Sequence, residues 1–259
     1  MELLALPAYT DNYIWMLHNG HDALVVDPGE ASVVIQALQQ RELNLVTILV
    51  THRHADHIAG LDALRPHLNG PIYAPTSLAR DLSATAVTEG DSLAFGEAVF
   101  EVLETPGHTR EHISFWCRNL SLENQTESVL FCGDTLFSAG CGRVFDGEPE
   151  SLYFSLNRLA HLPEQTKICP AHEYTLSNLA FSRAAEPDNP LREDYFAHCT
   201  NLRGRLMPTL PTTLSVERQI NPFLRLTEKQ IKQAALQHGA ASESALDVFL
   251  ALRSWKNTF

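Results

Sequence analysis

The chain has 259 residues, 44% hydrophobic and 19% charged, with a formal net charge of −12, a composition that suits a globular protein with room for one α/β domain and a small appendage. No run reaches the roughly 20 apolar residues of a bilayer span. Met1 to Pro7 has no basic stretch and carries Glu2, and the negative charge repels phosphate backbones, so the expectation is a cytoplasmic protein that needs neither membrane nor nucleic acid.

In chain order, Ile14 to His18 and Ala23 to Val26 are apolar runs around the turn-forming pair Asn19-Gly20, a hairpin signal. Asp27-Pro28-Gly29 stops the second strand. Ala31 to Gln40 has helical spacing, and Leu45 to Val50 is a short β-branched run of the buried-strand kind. It ends at Thr51, where a run of histidines begins. Val99 to Leu103 then runs into Thr105-Pro106-Gly107-His108, Ser128 to Cys132 into Gly133-Asp134, and Lys167 to Cys169 into Pro170-Ala171-His172. Four apolar strands therefore end in turns that carry His or Asp, as in a layered α/β sandwich with one site along one edge.

After His172 the pattern turns helical, over Thr175 to Ala185, Leu191 to Leu206, Thr227 to His238 and Ala245 to Lys256, with prolines at 187, 190, 208 and 211 between them. The expected division is a catalytic domain over 1–172 and a small helical domain over 173–259. The five cysteines, at 117, 132, 141, 169 and 199, form no C-x-x-C pair and read as free thiols.

The segment His52-Arg53-His54-Ala55-Asp56-His57 packs four metal donors into six residues. In an extended chain His52 and His54 leave on the same side. Asp56 and His57 fall where the chain turns, with a helix expected from near Ile58, and their side chains diverge toward a second ion. Burying this many imidazoles and a carboxylate together without a cation would cost on the order of several kcal/mol. Adding His108, Asp134 and His172 from the other strand ends makes five His and two Asp, too many for one open ion and suited to two. The assignment is His52, His54 and His108 on one ion, Asp56, His57 and His172 on the other, and Asp134 bridging. Such donors take zinc, iron or manganese. His112 is set aside as a residue that could orient a ligand, and His18, His67, His161, His198 and His238 read as surface or core residues.

H-x-H-x-D-H after a buried strand, followed in order by P-G-H-T, C-G-D-T and A-H-E-Y, resembles the metallo-β-lactamase superfamily. Phe131 to Phe137, Gly140 to Arg143, Ala171 to Thr175 and the closing Leu252 to Lys256 narrow the resemblance to the glyoxalase II, or hydroxyacylglutathione hydrolase, family, across essentially the whole chain. The resemblance implies an αββα sandwich with a small C-terminal all-helical domain and two divalent ions, zinc foremost. It implies hydrolysis of S-D-lactoylglutathione to glutathione and D-lactate, the second step of methylglyoxal detoxification; the oligomeric state is left open, with a monomer as the expectation. Arg143, Tyr174, Arg253 and Lys256 match the family's glutathione-binding positions, whereas Phe145 stands where the family often has Tyr.

In this chemistry two ions about 3.5–4 Å apart share a water and lower its pKa toward about 7. Asp56 is expected both to ligate and to accept a hydrogen bond from the nucleophile. The thiolate leaving group, with a pKa near about 8.5, needs no strong general acid. The main alternative is a mononuclear Fe(II) glutathione-persulfide dioxygenase on His54, His108 and Asp134, against which the helical extension and His172-Glu173-Tyr174 speak. The net charge disfavours a nuclease on the same fold, and the open ligand set disfavours a non-catalytic zinc module.

Overall fold

The structure is a computed structural model that describes every residue except Asn124. The first sheet runs β1 (Glu2–Ala8), β2 (Asn12–His18), β3 (Asp22–Val26), β4 (Asn44–Leu49), β5 (Ile72–Pro75) and β6 (Thr85–Val87), in that order across the sheet. It is antiparallel from β1 to β3 and parallel from β3 to β6. The second sheet contains β7 (Ser92–Phe95), β8 (Ala98–Glu104), β9 (Ile113–Leu122), β10 (Gln125–Gly133), β13 (Lys167–Pro170) and β14 (Thr212–Thr213), ordered β14-β13-β10-β9-β8-β7. Between β10 and β13 lies a two-stranded hairpin, β11 (Leu136–Phe137) and β12 (Gly140–Cys141).

By contact density the chain forms two units: Met1–Thr105, Glu111–Gly133 and Cys169–His172 make the first; Pro106–Arg110, Asp134–Ile168 and Glu173–Phe259 make the second. In the first, all seven residues of β2 are buried, so both faces of its sheet are covered. Ile14, Met16, Val25 and Ile48 pack under Val34, Ala37 and Leu38 of α1 (Ala31–Arg41) and under Leu61 and Leu64 of the short helix α3 (Leu61–Leu64). Each buried Val, Leu, Ile or Met among them contributes about 1.5–3 kcal/mol by leaving water. The β2–β3 hairpin turns as its Asn-Gly signal predicts: Gly20 has φ +92°, and the Asn19 side chain accepts the N–H groups of His21 and Asp22.

The histidine segment departs from expectation. The helix there, α2, spans Ala55–Ile58, so Asp56 and His57 lie within it rather than before it. His54 is extended, with φ −61° and ψ 143°, and serves as its N-cap, while Asp56 sits in the first turn where the helix dipole favours an acid. A short helix α4 (Thr76–Ala79) completes this unit.

The second unit holds α5 (Pro149–Leu159), α6 (Thr175–Ala185), α7 (Pro190–Gly204), α8 (Leu214–Ile220), α9 (Lys229–Gln237) and α10 (Ala245–Lys256). Phe181 stacks on Phe223 and meets Trp255 edge-on, and Phe223 meets Phe249. Arg192 is fully buried, with its guanidinium on the carbonyls of Glu186 and Pro187. No described helix is long and apolar enough to cross a membrane.

Candidate active site

In the first unit β4 delivers Thr51-His52-Arg53-His54 in extended form, and the two side chains leave together. His52 Nε2 lies 3.0 Å from His54 Nδ1. Three residues on, α2 turns Asp56 and His57 toward His172, whose segment follows β13. Asp56 Oδ2 is 3.5 Å from His57 Nε2 and 3.4 Å from His172 Nε2. The divergence from the first pair is partial, since the His52 and His57 rings remain 4.1 Å apart. Gly29 permits this packing: a Cβ there would lie 1.8 Å from the Asp56 carbonyl oxygen.

In the second unit His108 and Asp134 face each other, with Nε2 and Oδ2 3.4 Å apart. Tetrahedral coordination at about 2.0–2.1 Å puts neighbouring donors about 3.3–3.4 Å apart. Three of these four separations match it, and the fourth is tighter by a few tenths of an ångström.

The outward nitrogens are equally ordered. His172 Nδ1 meets Asp11 Oδ1 at 2.8 Å, His57 Nδ1 meets Asp27 Oδ2 at 3.1 Å, His52 Nδ1 meets Thr51 Oγ1 at 3.0 Å, and His108 Nδ1 meets the Arg143 carbonyl at 2.7 Å. Anchoring one ring nitrogen on an oxygen leaves the other turned to a cation, which is how metal-binding imidazoles are held. Asp56 is held in turn by Asn12, whose amide donates to Oδ2 at 3.0 Å. The donor set thus tests well for metal: imidazoles and carboxylates, buried except at His54 and Asp56, with His52, His57, His108, His172 and Asp56 each anchored by a partner outside the set. Seven donors in two groups fit a dinuclear metal site.

Sequence reasoning missed Asp11, Asn12 and Asp27, the oxygen and amide partners of these ligands. The only trace of them was Asp27 in a strand-stopping turn. His112, set aside as a support, stacks on His52 at 4.9 Å and bonds Thr105 Oγ1 at 3.0 Å.

The basic residues fall in the second unit. Arg143 is exposed, with its guanidinium 5.9 Å from the Phe145 ring. Phe145 is 62% exposed and meets the His108 ring edge-on. Tyr174 packs edge-on against Phe137. Arg253 is buried, and its Nη1 donates to the carbonyls of Cys141 and Gly142 at 3.0 and 3.1 Å. Lys256, one turn on, lies 5.0 Å over the Phe181 ring, and burial together with neighbouring Arg253 pushes its pKa down to about 8.

Two family models divide the chain: the metallo-β-lactamase superfamily matches residues 10–172, and the hydroxyacylglutathione hydrolase C-terminus matches 173–259. The chain is 46% identical to a hydroxyacylglutathione hydrolase of Albidiferax ferrireducens and 44% identical to one of Vibrio parahaemolyticus, covering all of both chains in each case. Among solved structures it resembles ETHE1 from Myxococcus xanthus, with TM-score 0.57 and 28% identity over 85% of this chain and 96% of that one. A Staphylococcus aureus metallo-β-lactamase, with TM-score 0.62 and 19% identity over 98% of this chain and 72% of that one, shares the fold. Fold and donor set together define a metal-binding hydrolase with the metallo-β-lactamase sandwich and a helical C-terminal domain. Within that class the chain belongs to the hydroxyacylglutathione hydrolase family.

Proposed function

We propose that the chain hydrolyses S-D-lactoylglutathione, and related 2-hydroxyacyl-glutathione thioesters, to glutathione and D-lactate, as the second step of methylglyoxal detoxification. The observation that carries this is the joint presence of the two-group His/Asp donor set and a 173–259 segment of the hydroxyacylglutathione hydrolase type. The mononuclear dioxygenase reading, on His54, His108 and Asp134, leaves the second donor group and the 173–259 segment without a role.

His52, His54 and His108 would hold one divalent ion, Asp56, His57 and His172 the other, and Asp134 would bridge, with zinc as the first choice and iron or manganese as alternatives. When bound, such ions polarise the thioester carbonyl and acidify a water between them. The residues supply the rest. Asp11, Asp27, Thr51 and the Arg143 carbonyl orient the imidazoles of His172, His57, His52 and His108. Asp56, the more exposed of the two acids and steadied by Asn12, takes the hydrogen bond of the attacking water. No described group is needed as a strong acid, because a glutathione thiolate leaves without one.

Arg143, Tyr174, Arg253 and Lys256 form the glutathione subsite, where the positive charge of Arg143, Arg253 and Lys256 draws an anionic tripeptide to an otherwise acidic protein. Phe145 offers it an apolar face and no hydroxyl. Residues 1–172 act as the catalytic domain and 173–259 as the substrate-binding one, in a cytoplasmic monomer with no nucleic-acid or membrane partner. The test is His54→Ala and Asp134→Ala: both abolish metal loading and thioester turnover together. A variant stripped of metal that still turns over would refute the reading.

A further inference from the structure

The turn from Asp134 to Arg143 carries a proposed ligand at one end and, at the other, the carbonyl that holds His108. Its hairpin, β11 and β12, has two residues per strand, far too little pairing to be stable alone. Ala139 at its tip is in the left-handed region, with φ +56°, where a side chain is disfavoured unless the surroundings enforce it.

Four side chains from the helical half take hold of it. Asn221 Nδ2 donates to the carbonyls of Phe137 and Gly140 at 3.2 and 2.9 Å. Asn178 Nδ2 donates to Ser138 O at 3.0 Å, and Glu217 Oε2 accepts from Ala139 N at 2.7 Å. Arg253 Nη1 donates to Cys141 O and Gly142 O at 3.0 and 3.1 Å. Six consecutive residues, 137 to 142, therefore each have a main-chain atom bound by a side chain from α6, α8, α10 or the turn after α8. All four holders are buried. Glu217 is itself locked by Thr212 Oγ1 at 2.9 Å and by Asn221 at 3.0 Å.

Burying a carboxylate, two amides and a guanidinium is costly, and the helices would pack more cheaply around apolar groups. What the arrangement secures lies at the ends of the turn. Gly142 N donates back to Thr135 O at 3.1 Å, which closes the loop beside Asp134, and the next carbonyl, of Arg143, takes His108 Nδ1 at 2.7 Å.

We propose that Asn178, Glu217, Asn221 and Arg253 are positioning residues for the metal centre. The helical half clamps the 137–142 hairpin and so sets His108 and Asp134 in ligating geometry, in addition to contacting substrate. The proposal rests on reading His108 and Asp134 as ligands.

The test compares Asn178→Ala and Asn221→Ala with Asn189→Ala, in the full chain loaded with zinc and, separately, with cobalt. Asn189 is an equally buried amide of the same helical half, but it holds Glu186 and Gln219 O rather than the hairpin. Asn178→Ala and Asn221→Ala should each lower the affinity for one of two ions by about 10–100-fold in chelator competition and shift the visible absorption of the cobalt form. Asn189→Ala should lose thermal stability with metal affinity and spectrum unchanged. Unchanged affinity and spectrum in the hairpin variants, or equal metal loss in all three, would overturn the clamp. If Asn221→Ala does not fold, Asn178→Ala decides alone. A wild-type chain that binds only one ion would instead overturn the ligand assignment beneath the proposal.

Discussion

Asp27 Oδ2 lies 3.1 Å from His57 Nδ1, and the same carboxylate accepts the Thr51 N–H and hydroxyl at 2.8 Å each. Thr51 Oγ1 in turn meets His52 Nδ1 at 3.0 Å. One buried acid thus orients two imidazoles, one in each proposed ion's ligand set. Asp27→Asn should lower metal affinity by about 10–100-fold, measured by chelator competition. Asp27→Ala should in addition cost about 1–3 kcal/mol in chemical denaturation, by stranding the Thr51 donors.

Arg253 and Lys256 should separate kinetically. Lys256→Ala removes charge from the proposed glutathione subsite and should raise KM with kcat little changed. Arg253→Ala removes charge and also frees the Cys141 and Gly142 carbonyls, so KM should rise and metal affinity fall together. Steady-state kinetics and metal analysis on the same samples check both.

In the proposed glutathione subsite, the depressed pKa of Lys256, about 8, should make substrate affinity pH-dependent. An anionic partner favours the charged amine, so binding takes up a proton once the free amine begins to lose it. KM should be level below about pH 7 and climb above pH 8, by up to about tenfold per pH unit. A Lys256→Met variant should have a higher KM with that climb removed.

Burial pushes the Glu217 carboxyl from its ordinary 4.5 up to about 7, against the opposing pull of the donors from Ala139, Asn221, Thr212 and Ser138. The folded state holds this proton more tightly than the unfolded chain does. Its stabilising contribution is therefore complete below pH 4.5 and is lost as pH rises through about 7. In metal-free protein Glu217→Gln should flatten that fall in thermal stability between pH 4.5 and about 7 relative to wild type.

What the sequence disclosed follows from how local each feature is. His52, His54, Asp56 and His57 are neighbours in the chain, so their clustering was legible, and the strand ends bearing His108, Asp134 and His172 were legible from their apolar runs. Their supports were not: Asp11 lies 161 residues from His172, and nothing local in Thr-Asp-Asn marks it as a partner. The start of α2 was misplaced because His54 caps it through backbone geometry alone, without a capping side-chain bond. The hairpin clamp was illegible for the same reason as Asp11, since Asn178, Glu217 and Asn221 stand 40, 78 and 81 residues along the chain from the hairpin atoms they hold.

The most direct test of the dinuclear hydrolase is to strip the chain of metal, add zinc back stepwise, and follow S-D-lactoylglutathione cleavage by loss of thioester absorbance while measuring bound zinc in each sample. Turnover should be absent without metal and reach its maximum at two ions per chain. Full turnover with no metal or with a single ion bound, or none with two in place, would contradict it.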